Sequence, residues 1–252
     1  MIPSRLAIAF LCLTGCTSYA ADIKVIASGS PSASVRILAS SFEKSFGHKI
    51  TVTSGNPGSV VSRLRDGEMV DVAVLPVSMW DRVLKIDRVD AASRRSLARA
   101  EMGVGIKAGS TKPPIANATE YRNTLLAARS IGIGDRNGGS PPTTALLAVL
   151  RKENMEAQVL AKAKSYSSGA ALAHALVDGE IEFGMTMIPE LISVKGVEVA
   201  GKVPNDFLNY SGLSLVVLLK DTSQPAVAQQ FLEYLTSADA KVVFRSNGMN
   251  PD

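Results

Sequence analysis

Apolar positions along this chain switch between two spacings, and the switches fall at short polar turns. Ile23–Ala27 is a compact run of strand-forming residues. The next apolar positions, Val35, Leu38, Phe42 and Phe46, recur at steps of three and four and predict a helix stopped by Gly47. Lys49–Thr53 predicts a second strand, Val60, Val61 and Leu64 a second helix ending at Gly67, and Val70–Leu75 a third strand. Strands alternating with helices on short turns predict a parallel sheet covered on both faces, an α/β fold.

The pattern then changes. Residues 81–100 are charged and read as helical, and Met102–Ile106 reads as a strand before the breaker-rich stretch Gly109–Pro114. A helix over Glu120–Ala128, a strand over Ile131–Gly134 and a helix over about Thr143–Lys152 follow. Lys164 and Ser165 fit a short strand, and Ser167 or Ser168 caps a helix running through Val177 to Gly179. Glu182–Met187 predicts another strand, ending at Ile188-Pro189-Glu190. Leu213–Leu219 is a strongly apolar strand, Gln224–Leu235 an amphipathic helix, and Ser237 opens a last helix stopped at Asn247-Gly248. The chain reads as two α/β units that share a plan but no sequence repeat.

One punctuation recurs. Apolar runs end in a small polar residue followed by proline at Ser30-Pro31, Asn56-Pro57 and Ser140-Pro141. Ser and Asn are favoured helix N-caps and Pro the first helical residue. A helix start carries unpaired N–H groups and the positive end of the macrodipole. Three such starts at the carboxyl ends of strands predict a site for a small oxyanion that needs no Lys or Arg.

Composition narrows the function. The 252 residues are 46% hydrophobic and 20% charged, enough for a sizeable core. Aromatic residues make up 5%, with one Trp, which argues against a stacking surface for single strands. The net charge is +4 without a long basic run, so no nucleic-acid partner is expected. At the N-terminus Arg5 precedes the apolar run Leu6–Leu13, and Ser18-Tyr19-Ala20 places small residues at a cleavage site, so residues 1–20 read as an export signal. Leu13-Thr14-Gly15-Cys16 also resembles a lipobox, and lipid anchoring through Cys16 stays open beside cleavage after Ala20. Both cysteines, Cys12 and Cys16, lie in this segment, so the remainder has no disulfide framework and no thiol chemistry. The expected location is periplasmic or extracytoplasmic.

Catalytic signatures are weak. The chain has no G-x-S-x-G elbow and no H-E-x-x-H, and nothing in the sequence places Asp135, His174 and a serine together. His48 and His174 lack a second ligand at metal spacing. No enzyme, metal site or cofactor is expected. Asp71 at a strand start reads as structural.

Five stretches carry a resemblance to a known family. They are I-K-V-I-A-S-G-S from Ile23, R-L-R-D-G-E-M-V-D-V-A-V from Arg63, and I-G-I-G-D-R from Ile131 with S-P-P-T from Ser140. The others are A-L-V-D-G-E-I-E-F-G from Ala175, and F-L-E-Y-L-T-S-A-D-A-K from Phe231 with N-G-M-N-P from Asn247. In this order the chain resembles a type II periplasmic solute-binding protein, and within that class the molybdate-binding proteins of ABC transporters. The resemblance implies two lobes with a ligand cleft between them: residues 21–100 and 213–252 in lobe I, and 101–212 in lobe II. It also implies closure by hinge bending.

The family's binding groups map unevenly. Ser30 matches the first-loop serine that donates to an oxyanion. The second loop has Pro57 where the family has a binding serine, leaving Asn56 or Ser59 to compensate. In the third loop Pro142 removes a donor and Thr143 adds a hydroxyl. Thr186 falls where the family uses a backbone N–H, and Tyr210 matches the tyrosine that closes over ligand. Arg136 departs from the family and suits a carboxylate. The resemblance therefore implies an exported protein, a monomer, that captures a molybdate- or tungstate-like oxyanion and hands it to a membrane ABC permease. The same fold binding a small organic carboxylate is the alternative, supported by Pro57, Pro142 and Arg136. A secreted α/β hydrolase is the third reading.

Overall fold

The computed structural model describes residues 20–137 and 139–252, so the apolar leader and Cys16 lie outside the described residues. The first elements are β1 (Asp22–Ser28), α1 (Ser32–Phe46), β2 (Lys49–Gly55), α2 (Pro57–Arg65), β3 (Val72–Pro76), α3 (Trp80–Val83) and β4 (Val89–Lys107). Next come α4 (Ala118–Ala127), β5 (Ile131–Gly134), α5 (Pro141–Lys152), α6 (Glu156–Leu160), β6 (Ala163–Tyr166), α7 (Gly169–Asp178), β7 (Phe183–Met187), α8 (Ile188–Ile192) and β8 (Val197–Lys202). The chain closes with β9 (Ser211–Leu219), α9 (Pro225–Leu235), α10 (Ala238–Ser246) and β10 (Asn250–Pro251).

The predicted apolar faces form the core. Val35, Leu38 and Phe42 of α1 are buried, and Gly47 ends the helix at φ 72°, a left-handed conformation that favours glycine. Phe42 stacks edge-on against Phe231 of α9 with ring centroids 5.1 Å apart, tying the C-terminal helix to the first unit. Each such ring removes apolar area worth about 1.5–3 kcal/mol from water. Asp71 anchors the edge of β3, its Oδ2 accepting from the Lys24 N–H at 2.7 Å and its Oδ1 accepting from the Thr222 hydroxyl.

The strand order is β2-β1-β3-β9-β4-β7-β5-β6, with β8 and β10 also paired to β4. The expected parallel pairing holds for β2-β1-β3 and for β6-β5-β7. The join between these sets is antiparallel, through β3–β9, β9–β4 and β4–β7, so the sheet is mixed.

The expected helix over residues 81–100 is the main departure. The chain makes only the short α3 there and then a strand of 19 residues. Ala, Arg and Leu give this stretch helix propensity, but propensity is a weak prior that pairing overrides. Arg95–Glu101 lies antiparallel to β9 with register shifts, and Ala98, Ala100 and Met102 turn inward while Arg99 turns outward. Beyond Met102 the same strand pairs with β7 and β8. One strand thus runs through both halves of the sheet, which brings the carboxyl ends of the two parallel sets to face each other.

Candidate ligand-binding site

β1, β2, β5 and β6 each end at one cavity, and the helices that follow them, α1, α2, α5 and α7, each begin at its wall. The cavity measures about 50 Å³. A single water needs roughly 10–15 Å³ of such space, so the site suits a small ligand. Four helix starts face one cavity, and their dipoles each contribute a partial positive charge there.

Their donors are largely committed to the protein. At α2, Pro57 has no N–H, Gly58 N–H donates across the cavity to the Gly139 carbonyl at 3.0 Å, and Ser59 N–H donates to Asn56 Oδ1 at 2.8 Å. At α5, Pro141 and Pro142 have no N–H, and the Thr143 hydroxyl is hydrogen-bonded to the Ser140 hydroxyl at 3.0 Å. At α7, Ala171 N–H donates to Ser168 Oγ at 3.1 Å and Gly169 N–H donates to the Glu190 carboxyl. At α1 no side chain caps the helix; Pro31 stands at the cap position. Ser30 lies instead in a turn closed by Ser32 N–H onto the Gly29 carbonyl at 3.1 Å. Of the four starts, α1 is the one occupied by neither a cap, a proline pair nor a carbonyl from the far wall.

Glu190, from α8, also lines the cavity. Its Oε2 accepts from the Thr186 hydroxyl at 2.5 Å, and backbone N–H groups of Met187 and Gly169 point at the carboxyl. Two glycines make room for it. A Cβ on Gly169 would lie 2.3 Å from the carboxyl carbon, and one on Gly29 would lie 2.8 Å from Oε1. Burial pushes the Glu190 carboxyl above its ordinary value, outweighing these hydrogen bonds, which pull it down. Burial likewise pushes the Tyr210 hydroxyl up to about 12, with the Glu190 charge adding to the rise and a hydrogen bond with Ser78 opposing it. Tyr210 therefore keeps its proton as a donor at neutral pH. Among the described residues, the charged groups lining the cavity are Asp135 and Glu190, and none is a Lys or Arg.

The structure gathers Ser30, Asn56, Thr186 and Tyr210 around this cavity. Ser59 is exposed on α2, and Arg136 is exposed on the turn after β5. Thr143 is buried beneath that wall, where a Cβ on Gly134 would come within 2.5 Å of its Oγ1. These three stand outside the lining. Ser30 and Ser140, read as helix caps, make no side-chain cap, whereas Asn56 does. Sequence reasoning missed Glu190. Its one local signal is an acidic residue just after Ile188-Pro189 at a strand end, which reads as an ordinary first-turn acid. Among the described residues no group of three His, Cys, Asp or Glu side chains could hold a metal ion, and no helix is long and apolar enough to cross a membrane.

Residues 23–250 match the family described as bacterial extracellular solute-binding protein. The chain is 26% identical over 240 residues to an aconitate isomerase of a Pseudomonas species, covering 91% of this chain and 87% of that protein. It is 24% identical over 241 residues to a molybdate-binding protein of Azotobacter vinelandii, covering 94% and 92%. The solved structure of the periplasmic molybdate-binding protein of Azotobacter vinelandii matches with a TM-score of 0.74 at 20% identity, covering 90% of this chain and 98% of that one. That likeness shows the fold, a two-lobed α/β fold of the type II periplasmic-binding class, as expected from the sequence.

Proposed function

On the premise that this chain belongs to the bacterial extracellular solute-binding proteins, we propose that it captures a small organic carboxylate outside the cytoplasm. The captured anion is handed to a membrane permease of the ATP-driven type, and the chain acts as a binder rather than an enzyme. Lobe I comprises residues 21–100 and 213–252, lobe II residues 101–212, and the ligand lies where the four helix starts converge.

The observation that carries this reading is Glu190 in the cavity wall, with no lysine or arginine lining that cavity among the described residues. An ionised carboxylate there repels any anion, so Glu190 is neutral beside a bound ligand. A neutral Glu190 donates its O–H to the ligand, and a carboxylate, matched to it in basicity, shares that proton in a short, strong hydrogen bond. Pro57, Pro142 and the commitment of the α2 donors to Asn56 and Gly139 further weaken symmetric donation to a tetrahedral anion. The aconitate isomerase relative, whose name gives a carboxylate substrate, supports the same ligand class.

Molybdate or tungstate is the second reading, favoured by the molybdate-binding relative. Calorimetric titration of the purified protein with molybdate, tungstate, sulfate, phosphate, malate, citrate, tricarballylate and aconitate separates the two. Sub-micromolar carboxylate binding, about −8 kcal/mol or better, with little heat from molybdate is the expected result. Tight molybdate binding with silent carboxylates overturns it. Aconitate recovered unchanged after prolonged incubation is expected of a binder; its isomerisation would overturn the non-enzymatic part of the reading.

A further inference from the structure

Glu190 faces two spaces. It lines the cavity, and it also lines a groove of about 390 Å³ on the other side of Gly29, Ser30 and Ser168. The groove carries Arg36 from α1 and His174 from α7. Arg36 donates to Ser54 Oγ at 2.6 Å, and among the described ion pairs neither Arg36 nor His174 is paired with Glu190. From the cavity side the titratable neighbours are Tyr210 and, among the lining residues, Asp135. From β7 the neighbour is the non-titrating Thr186. The buried carboxyl thus has hydrogen-bond donors but, among the described residues, no ion-pair partner.

We propose that Glu190 couples ligand capture to proton uptake and so sets which anions the site accepts. This rests on the carboxylate reading above but is tested separately from it. An anion entering the cavity raises the cost of a second negative charge on Glu190. The balance is simple: Glu190 carboxylate, one proton from water and the ligand carboxylate give a neutral Glu190 carboxyl donating its O–H to the ligand. One O–H bond forms on Glu190, and nothing is oxidised or reduced. Anion affinity then falls by about tenfold per pH unit above the value for free Glu190.

The test is calorimetry with citrate, tricarballylate, malate and molybdate at several pH values, each in two buffers of different ionisation enthalpy. Wild type should take up close to one proton per bound anion once the pH exceeds the value for free Glu190 and stays below that of the complex. Glu190→Gln, which keeps the shape and cannot ionise, should bind without proton uptake and lose the pH slope. A pH-independent affinity in wild type for whichever of these anions binds overturns the proposal, even if a carboxylate is the ligand. Carbon NMR of the free protein gives a readout without any ligand. A Glu190 carboxyl resonance, assigned by its loss in Glu190→Gln, should titrate above the ordinary glutamate range. Titration at or below that range overturns the proposal, and binding of molybdate alone overturns only the carboxylate reading.

Discussion

Asn56 and Ser167, 111 positions apart, are joined by a hydrogen bond from Asn56 Nδ2 to the Ser167 carbonyl at 3.2 Å. The same side chain caps α2 by accepting from Ser59 N–H at 2.8 Å. One amide thus stabilises a helix and bridges the two walls of the cavity. Asn56→Ala should lose both functions and cost about 1 kcal/mol of stability through the cap, roughly 2–4 °C in melting temperature for a chain of this size. Asn56→Ser should keep the cap and the melting temperature but lose the bridge. Stopped-flow release of bound ligand should then be faster in both variants. Slow release from Asn56→Ser would show that the bridge does not hold the walls together.

Ser30 tests the α1 start. Its position in a turn, with Pro31 at the cap position, separates its hydroxyl from helix stability. Ser30→Ala should leave urea unfolding within about 0.5 kcal/mol of wild type. A hydrogen bond to a charged ligand is worth about 1.5–3 kcal/mol, so affinity should fall by at least tenfold. Equal affinity in calorimetry would remove Ser30 from the site.

Gly169 tests the seating of Glu190. An alanine Cβ would press on the Glu190 carboxyl carbon at 2.3 Å, closer than real contacts allow. Gly169→Ala should displace the carboxyl, cost about 1–3 kcal/mol by overpacking, and weaken ligand binding more than Ser30→Ala does. Wild-type affinity in a folded Gly169→Ala protein would show that the carboxyl position does not matter.

Glu190 also links stability to pH. Its folded value lies above the ordinary 4.5. Between these two values the folded state holds more protons than the unfolded state, so this group's stabilising contribution is complete below about pH 4.5 and is lost as pH rises through the folded value. Denaturant unfolding of wild type and Glu190→Gln across pH 4 to 8 should show a difference that grows with pH in favour of Glu190→Gln. A constant difference would mean that Glu190 titrates alike in both states. Tyr210 has the same sign at a higher range: its contribution is complete below pH 10 and lost toward about 12.

Much of the fold was legible because local signals carried it. The apolar faces of α1, α7 and α9, the left-handed stops at Gly47 and Gly179, and the Asn56 cap follow from spacing and backbone chemistry alone. Residues 81–100 misled for the same reason: their local propensity is helical, and only a partner strand, β9, more than a hundred residues later makes them a strand. The antiparallel join was hidden with them.

The candidate site divides along the same line. Ser30 and Asn56 sit at strand ends where turn chemistry marks a loop, and the family resemblance pointed to Thr186 and Tyr210; all four line the cavity. Ser59 and Arg136 lie in those same loops but are exposed, and Thr143 is buried behind the lining Ser140 and Gly134, because a neighbouring position on a helix or turn directs its side chain elsewhere.

The sequence by itself determined the α/β order, the helix starts at the strand ends and the kinship with solute-binding proteins, since each is written in neighbouring residues. Tertiary structure alone decided which of those helix starts still offers donors, and that a glutamate lies among them. Glu190 is packed between Gly29 and Gly169, which are 161 and 21 positions away. Its burial, its missing counter-ion and its raised proton affinity exist only once those glycines close around it.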